Sequence, residues 1–373
     1  MFYAFMRQKK ELKMSKGFEG WLCLVPENRG WLGAHTAIRG NFIYADSESM
    51  QLNQEIKERP GKLTYGRALK ASNRVIGEMT PGGDSEFQFR SDDMPPLMLA
   101  HFQKYIGTAF GGVGSLVGSS QFTFVPEKGV PNFSGSSFGT GSYTSPKGDA
   151  YTVGFVKKLF DTTSNGGTNS QWYKSCLVDE MMFTMSAGDD AKCKASFKAG
   201  AVDYATAIGS VNNPNSSFGS YSALPSYEFW TGTLLYAGGA LELSKFEWSS
   251  KNNMAPYRSI GSKNPSRYNF GRYDISGSLD LDFPYDGMKH FGSMIGGSTF
   301  ALTATLFNGT SDWMTFSFPN CRLKPIEVNM KGGDQETSFS LPWVAYESED
   351  GLTAPVQVVV HTLTYGSTPM IRV

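Results

Sequence analysis

The sequence predicts a mainly β chain of two tandem β-sandwich or β-barrel domains, each with one short flanking α-helix. Three observations carry this: a two-residue periodicity wherever the chain is not turn-rich, helical spacing confined to two short segments, and an ordered set of features that occurs once in each half. A strand with alternating apolar and polar residues buries one face and wets the other. A chain dominated by such strands closes its cores between sheets.

In the first half, Gly83 to Phe89 (GDSEFQF) alternates and runs into the first helical segment. There Asp92 and Asp93 precede Pro95 and Pro96, which suit a first helical turn, and Met98, Phe102 and Ile106 recur at helical spacing before Gly107. The Gly, Ser and Thr-rich stretch from Phe110 to Gly148 is far longer than a hairpin turn and reads as a surface insertion. Strands follow at Tyr151, Val153 and Phe155, and at Cys193, Ala195 and Phe197. Val211 to Pro225 has linker composition.

In the second half, Leu241 and Leu243 and then Phe246 and Trp248 change phase at Ser244 and Lys245, which predicts a β-bulge. Leu279, Leu281 and Phe283 alternate with Ser278, Asp280 and Asp282 and lead into a second helix over Gly287 to Ile295, capped by Asp286 and closed by Gly296. Four more strands are expected: Phe300 to Leu306; Met314, Phe316 and Phe318; Ile326, Val328 and Met330; and Phe339, Leu341 and Trp343.

The halves match feature by feature. GDSEFQF corresponds to Gly277 to Phe283 (GSLDLDF), each running straight into its helix, and the Tyr151 strand corresponds to the Phe300 strand. Cys176 precedes Met185 by nine positions and Gly188-Asp189 by twelve, as Cys321 precedes Met330 and Gly333-Asp334. This divides the chain into an N-terminal arm (1–40), a first domain (41–210) carrying the insertion 110–148, a linker (211–225), a second domain (226–350) and a C-terminal strand or arm (351–373). A long excursion precedes each unit, Met50 to Arg67 in one and Ser249 to Phe270 in the other.

Composition narrows the function. The 34 basic and 34 acidic side chains cancel, and no cluster of Lys and Arg marks a nucleic-acid footprint. Cys23, Cys176, Cys193 and Cys321 have no C-x-x-C spacing, and no pair among His35, His101, His290 and His361 has the i, i+4 spacing of a helical metal site. His101 and His290 are read as helix residues at a polar edge. Gly135 to Gly139 fits G-x-S-x-G without the strand and helix that a nucleophile elbow needs, and Gly111 to Gly118 misses the dinucleotide fingerprint at Val117. Asp92-Asp93 reads as a helix cap, while Asp189-Asp190 and Glu347 to Asp350 read as turns, so no catalytic, cofactor or metal site is expected. No apolar run approaches the roughly 20 residues that span a bilayer, and no signal core is legible. Met14, followed by Ser15 and Lys16, is an alternative start that would make residues 1–13 an upstream extension.

In their order these features resemble the major tail tube proteins of long-tailed, siphovirus-like bacteriophages, in the larger type that carries the tube domain twice. The resemblance runs from Asn41 to Asp350 on Gly77 to Phe89 (GEMTPGGDSEFQF), Trp172 to Met185 (WYKSCLVDEMMFTM), Tyr273 to Phe283 (YDISGSLDLDF), Phe318 to Leu323 (FPNCRL) and Gly332 to Ala345 (GGDQETSFSLPWVA). It implies a structural virion protein, assembled in the host cytoplasm, whose domains join inner sheets around a channel in trimeric, pseudo-hexameric rings. The implied partners are further copies of itself, the tape-measure protein, tail terminator and tip proteins, and double-stranded DNA passing through without specific binding. Within that reading Leu52, Ile56, Met254 and Tyr257, on the two excursions, are the candidates for contact between rings. The competing readings are a sheath, baseplate or decoration protein, a secreted carbohydrate-binding module, and a β-rich hydrolase.

Overall fold

The computed structural model describes residues 20–26, 41–43, 45–58, 74–90, 94–106, 120–127, 151–159, 169–205, 227, 232–282, 297–308, 312–325 and 338–362. In chain order these hold β1 (Gly20–Pro26), β2 (Asn41–Ile43), β3 (Ala45–Glu48), β4 (Gln51–Glu58), β5 (Arg74–Gln88) and α1 (Met94–Phe102). Then come β6 (Tyr105–Ile106), β7 (Ser120–Phe124), β8 (Val153–Leu159), β9 (Asn169–Ser186), β10 (Lys192–Lys198) and β11 (Ala201–Ala205). The second half contributes β12 (Gly232–Tyr236), β13 (Gly239–Ala240), β14 (Lys245–Lys251), β15 (Ala255–Tyr257), β16 (Arg267–Asn269) and β17 (Asp274–Asp282). It ends with β18 (Phe300–Asn308), β19 (Asp312–Leu323), β20 (Ser338–Ala345) and β21 (Gln357–Thr362). The fold is mainly β, as the alternation predicts. The expected second helix, the strand at Ile326 to Met330, the insertion 110–148 and the linker 211–225 lie outside the described residues.

Each half forms two layers that share one long strand. In the first, β1, β8 and β11 pair with one another or with residues 169–176 of β9, whereas residues 177–184 of β9 pair with β10, which in turn pairs with β5. Ser175, buried at φ 52°, and a register shift between Val153 and Phe155 mark where β9 bends out of one layer into the other. In the second half β12 pairs with β18, β18 and β21 pair with β19, the last residues of β19 pair with β20, and β20 in turn pairs with β17.

The register repeats as well. Phe87, Ser85 and Gly83 face Cys193, Ala195 and Phe197, and Leu281, Leu279 and Gly277 face Phe339, Leu341 and Trp343. Phe155 faces Tyr173 just past its register shift, and Leu302 faces Phe318 just past the corresponding one. Cys176 Sγ donates to Tyr173 O at 3.3 Å and Cys321 Sγ to Phe318 O at 3.6 Å, so each thiol serves the carbonyl three residues upstream of the bend. Buried polar groups need such partners.

One core runs through both halves. Phe155 meets Phe197 between the layers of the first half (ring centroids 5.3 Å apart), and Trp248 meets Phe316 and Phe318 in the second (5.2 and 5.6 Å). Phe183 and Phe89 reach Phe316 across the boundary (5.0 and 6.1 Å). Such ring pairs add to the burial of their area. The backbone continues across the same boundary: β9 also pairs with β14, Phe183 facing Trp248 and Glu180 facing Lys251, and β7 pairs with β21.

Three local expectations are corrected. Ile106 lies in β6 and not on the helix, because Gln103 ends α1 at φ 59°. The Gln103 amide donates to Ala100 O (2.6 Å) and Tyr151 O (2.9 Å), satisfying a helix-end carbonyl as a capping glycine's backbone would. The phase change at Ser244 is a break between β13 and β14 and not a bulge within one strand; Ser244 N–H donates to Asp280 O. His101 sits at no polar edge, since every residue of α1 is buried.

His101 instead joins the halves. Val178 O can only accept, so His101 Nδ1 carries the proton and donates (3.0 Å), which leaves Nε2 to accept from Ser250 Oγ (2.5 Å). Asn252 Nδ2 donates to His101 O (3.0 Å) and Val178 O (3.1 Å), closing a network between α1, β9 and the end of β14. Burial lowers the His101 pKa from 6.5 to about 4, against the weaker raising effect of the bond to Val178.

Two predictions follow from this packing. A Cβ at Gly277 would fall on the Glu247 carbonyl oxygen and the Trp343 ring, so Gly277→Ala should lower chemical-denaturation stability by about 1–3 kcal/mol; an unchanged midpoint would refute the close approach. Below pH 6.5 the unfolded chain protonates His101 while the folded chain does not until about pH 4. The stability that this histidine contributes is therefore full above pH 6.5 and lost as the pH falls toward 4, by about 3 kcal/mol in all. His101→Gln should flatten that part of the profile, and a slope surviving the substitution would rule the network out as its source.

Candidate assembly surface

The strands β5, β10, β9, β14, β17 and β20 follow one another edge to edge across both halves. Alternation gives this sheet two unlike faces. Inward point Phe87, Ala195, Phe183, Trp248, Leu279 and Leu341, all buried. Outward, on the opposite parity, point Asp84, Glu86, Lys192, Lys194, Glu180, Thr184, Lys245, Glu247, Ser249, Ser276, Ser278, Asp280 and Ser340. One largely polar surface, interrupted by Met182, thus runs across both halves over a shared core.

Its lysines are matched by carboxylates on the same or neighbouring strands. Lys192 lies 3.5 Å from Asp46 and 3.9 Å from Glu86, Lys194 3.6 Å from Asp84, Lys198 3.8 Å from Asp179, Lys245 2.8 Å from Glu247, and Lys251 3.2 Å from Glu180. The hydrogen bonds to Glu247 and Glu180 raise the Lys245 and Lys251 pKa values, so both stay charged and paired. Exposed pairs of this kind add little stability. Their effect is on the field: the face presents compensated charge.

The sheet ends at one side on β3 and β4. Among the described strands both pair with β5 alone. Ser49 N–H donates to Asp84 O, toward β5, so the next N–H, that of Met50, points outward; there it donates to Glu48 Oε1 at 2.6 Å, and Glu48 is held by Lys157 at 2.5 Å. A charged side chain lying over an edge amide blocks casual strand pairing.

The four residues expected to touch a next ring fall on two hairpins that meet each other. Leu52 and Ile56 are in β4, Leu52 half-buried opposite Pro81 and Ile56 opposite Ile76. Tyr257, 44 % exposed on β15, lies under the Arg267 guanidinium at 4.3 Å. Met254 is buried against Leu177 and Tyr268 and supports that hairpin from within. Met79 N–H donates to Lys263 O, and Arg258 bonds Met79 O and pairs with Glu78 at 3.1 Å, tying the β15–β16 hairpin to the β4–β5 hairpin. Ile260, fully exposed at its tip, escaped the sequence reading because a single apolar residue among polar neighbours carries no periodic signal.

The contact between Ser250 and His101 resembles a nucleophile and base, but both side chains are completely buried. The Cys176, Cys193 and Cys321 thiols are buried, and burial pushes Cys321 up to about 12, far from the reactive thiolate range. Among the described residues no group of three or more His, Cys, Asp or Glu is placed to hold a metal, and no helix is long and apolar enough to cross a membrane.

No curated protein matches the chain. The model of one protein family does, that of the phage tail tube proteins, over residues 54–347. That span takes in β5 to β20, with the junction of β9 with β14 and the β15–β16 hairpin, and the chain belongs to the phage tail tube protein family.

Proposed function

We propose that this chain self-assembles into stacked rings of three copies, each copy supplying two tube units, and that the stack forms the tail tube of a long-tailed phage through which the genome leaves the particle. One observation carries the reading: two strand sets of matching register are joined edge to edge into a single sheet, at one end of which β3 and β4 pair, among the described strands, with β5 alone. A sheet that extends itself by edge pairing closes without exposed margins only as a ring. Two units per chain make a three-membered ring hexameric in its repeat. Head-to-tail contacts that close in the plane leave ring faces free to stack.

In this reading the polar face lines the channel. Positive charge there would hold DNA by its phosphates, a sequence-independent attraction that accumulates over many rings. The ion-paired lysines avoid that. The hairpins carrying Ile56, Tyr257 and Ile260 reach the next ring, with Leu52 and Met254 at their roots. A tape-measure protein occupies the channel before ejection, terminator and tip proteins close the ends, and assembly takes place in the host cytoplasm before the tube becomes part of the virion. The role is structural and uses no cofactor.

Negative-stain microscopy of the purified chain, concentrated in steps, tests this. Tubes whose rings carry three-fold mass and six-fold appearance are expected; a chain that stays monomeric at every concentration overturns the proposal. The lining is tested by Glu180→Lys with Glu247→Lys. Tubes of this variant should retain short duplex DNA in low salt and release it as salt rises, while unsubstituted tubes retain none. DNA retention identical in both would remove the polar face from the channel.

A further inference from the structure

We propose that the outer face of the layer formed by β12, β18, β19, β21 and β7 binds an uncharged bacterial polysaccharide. Binding needs only the single chain. That this face lies on the outside of a tube rests on the assembly reading above, in which the charged face of the other layer lines the channel.

Two rows of side chains cross that layer at right angles to its strands. In one, Thr233, Thr305, Thr315, Val359 and Thr123 are successive register partners from β12 to β7, and Thr305 Oγ1 lies 3.0 Å from Thr315 Oγ1. In the next row Phe307 faces Trp313, Trp313 faces His361, and His361 faces Gln121. The Trp313 and His361 rings are stacked, 1° from parallel with centroids 5.3 Å apart, and Phe307 is 40 % exposed. The opposite parity is the core, where Leu306, Met314 and Val360 are buried. Among the described residues, the outward positions of these strands include no Lys, Arg, Asp or Glu.

Threonine on a solvent-facing strand is ordinary, because β-branched side chains suit the pleat. The missing charge is not ordinary, since exposed sheet surfaces carry it to stay soluble and separate. The other layer of this chain does so, with Lys245 beside Glu247 and opposite Asp280. A face without cations offers nothing to the phosphates of a nucleic acid or to an anionic lipid surface. An aromatic strip one residue deep beside a row of threonines is also narrower than the apolar centre of a protein interface. A neutral sugar chain matches it. A pyranose ring has an apolar C–H face that gains by leaving water against an aromatic side chain, and its rim hydroxyls exchange hydrogen bonds with threonine hydroxyls and the exposed Gln121 amide. With strands about 4.8 Å apart, the row from Phe307 to His361 spans roughly 10 Å, the length of a disaccharide.

Probing the full chain against a printed array of neutral and acidic bacterial polysaccharides tests this. Binding to at least one neutral polymer and to no acidic one is expected, and added salt should leave it unchanged because no ion pair is involved. On the polymer bound best, Phe307→Ala and Thr315→Lys should each weaken binding at least about tenfold while keeping the circular-dichroism spectrum of the parent chain. Absence of binding to every neutral polymer overturns the proposal, as does equal binding by the parent chain and a folded Phe307→Ala variant. Self-association that Phe307→Ala abolishes, in a chain that binds no polysaccharide, assigns the face to protein contact and overturns the proposal as well. A chain that binds a neutral polymer but never forms tubes overturns the assembly reading and leaves this site standing.

Discussion

A strand has two rows of backbone donors and acceptors, and the architecture depends on how β9 fills both. Its residues 180–184 lie between β10 of the first half and β14 of the second. Leaving either row bare inside a protein costs the desolvation of each unpaired group. The halves are consequently one hydrogen-bonded body with a common aromatic core, in which Phe183, Phe316 and Trp248 touch. Buried polar bonds from His101 reinforce the same seam from the helix side. A displacement of one half against the other would disturb backbone, core and polar network together.

Much of this was legible in the sequence because strand faces are a local property. The alternations at Leu279 and Leu281, Phe300 to Leu306, Met314 to Phe318 and Leu341 to Trp343 correspond to β17, β18, β19 and β20, and their apolar members are the buried ones. The spacing from Cys176 and from Cys321 marks equivalent bends. Pairing between distant strands was not legible, since nothing in Met181 to Met185 or Phe246 to Trp248 names the other as its neighbour. The end of α1 was misplaced for a related reason: Gln103 stops the helix by reaching Tyr151, a contact that only the folded chain supplies. Of the candidate assembly residues, sequence could place Leu52, Ile56, Met254 and Tyr257 on two excursions, but not that these form hairpins bound to each other, nor that Met254 is turned inward.

The balance of charge noted from composition acquires a location. Equal numbers of acidic and basic groups are compatible with any arrangement, including segregated patches. Here Lys192, Lys194, Lys245 and Lys251 stand beside acidic side chains on the same sheet face. Cross-strand neighbours of opposite sign attract and like signs repel, so the alternation that separates core from solvent also sets the lateral order of charge.

The pairing of β7 with β21 bears on how the molecule is made. Phe124 and Val358 meet although more than half the chain separates them, and β21 also covers the edge of β19. During synthesis β7 leaves the ribosome long before its partner exists, so the first half waits incomplete until β21 emerges. Contacts closed over such distances form slowly. A chain that stops short of β21 leaves bare the flanks of β7 and β19 that β21 covers, which makes this strand a latch between the two halves.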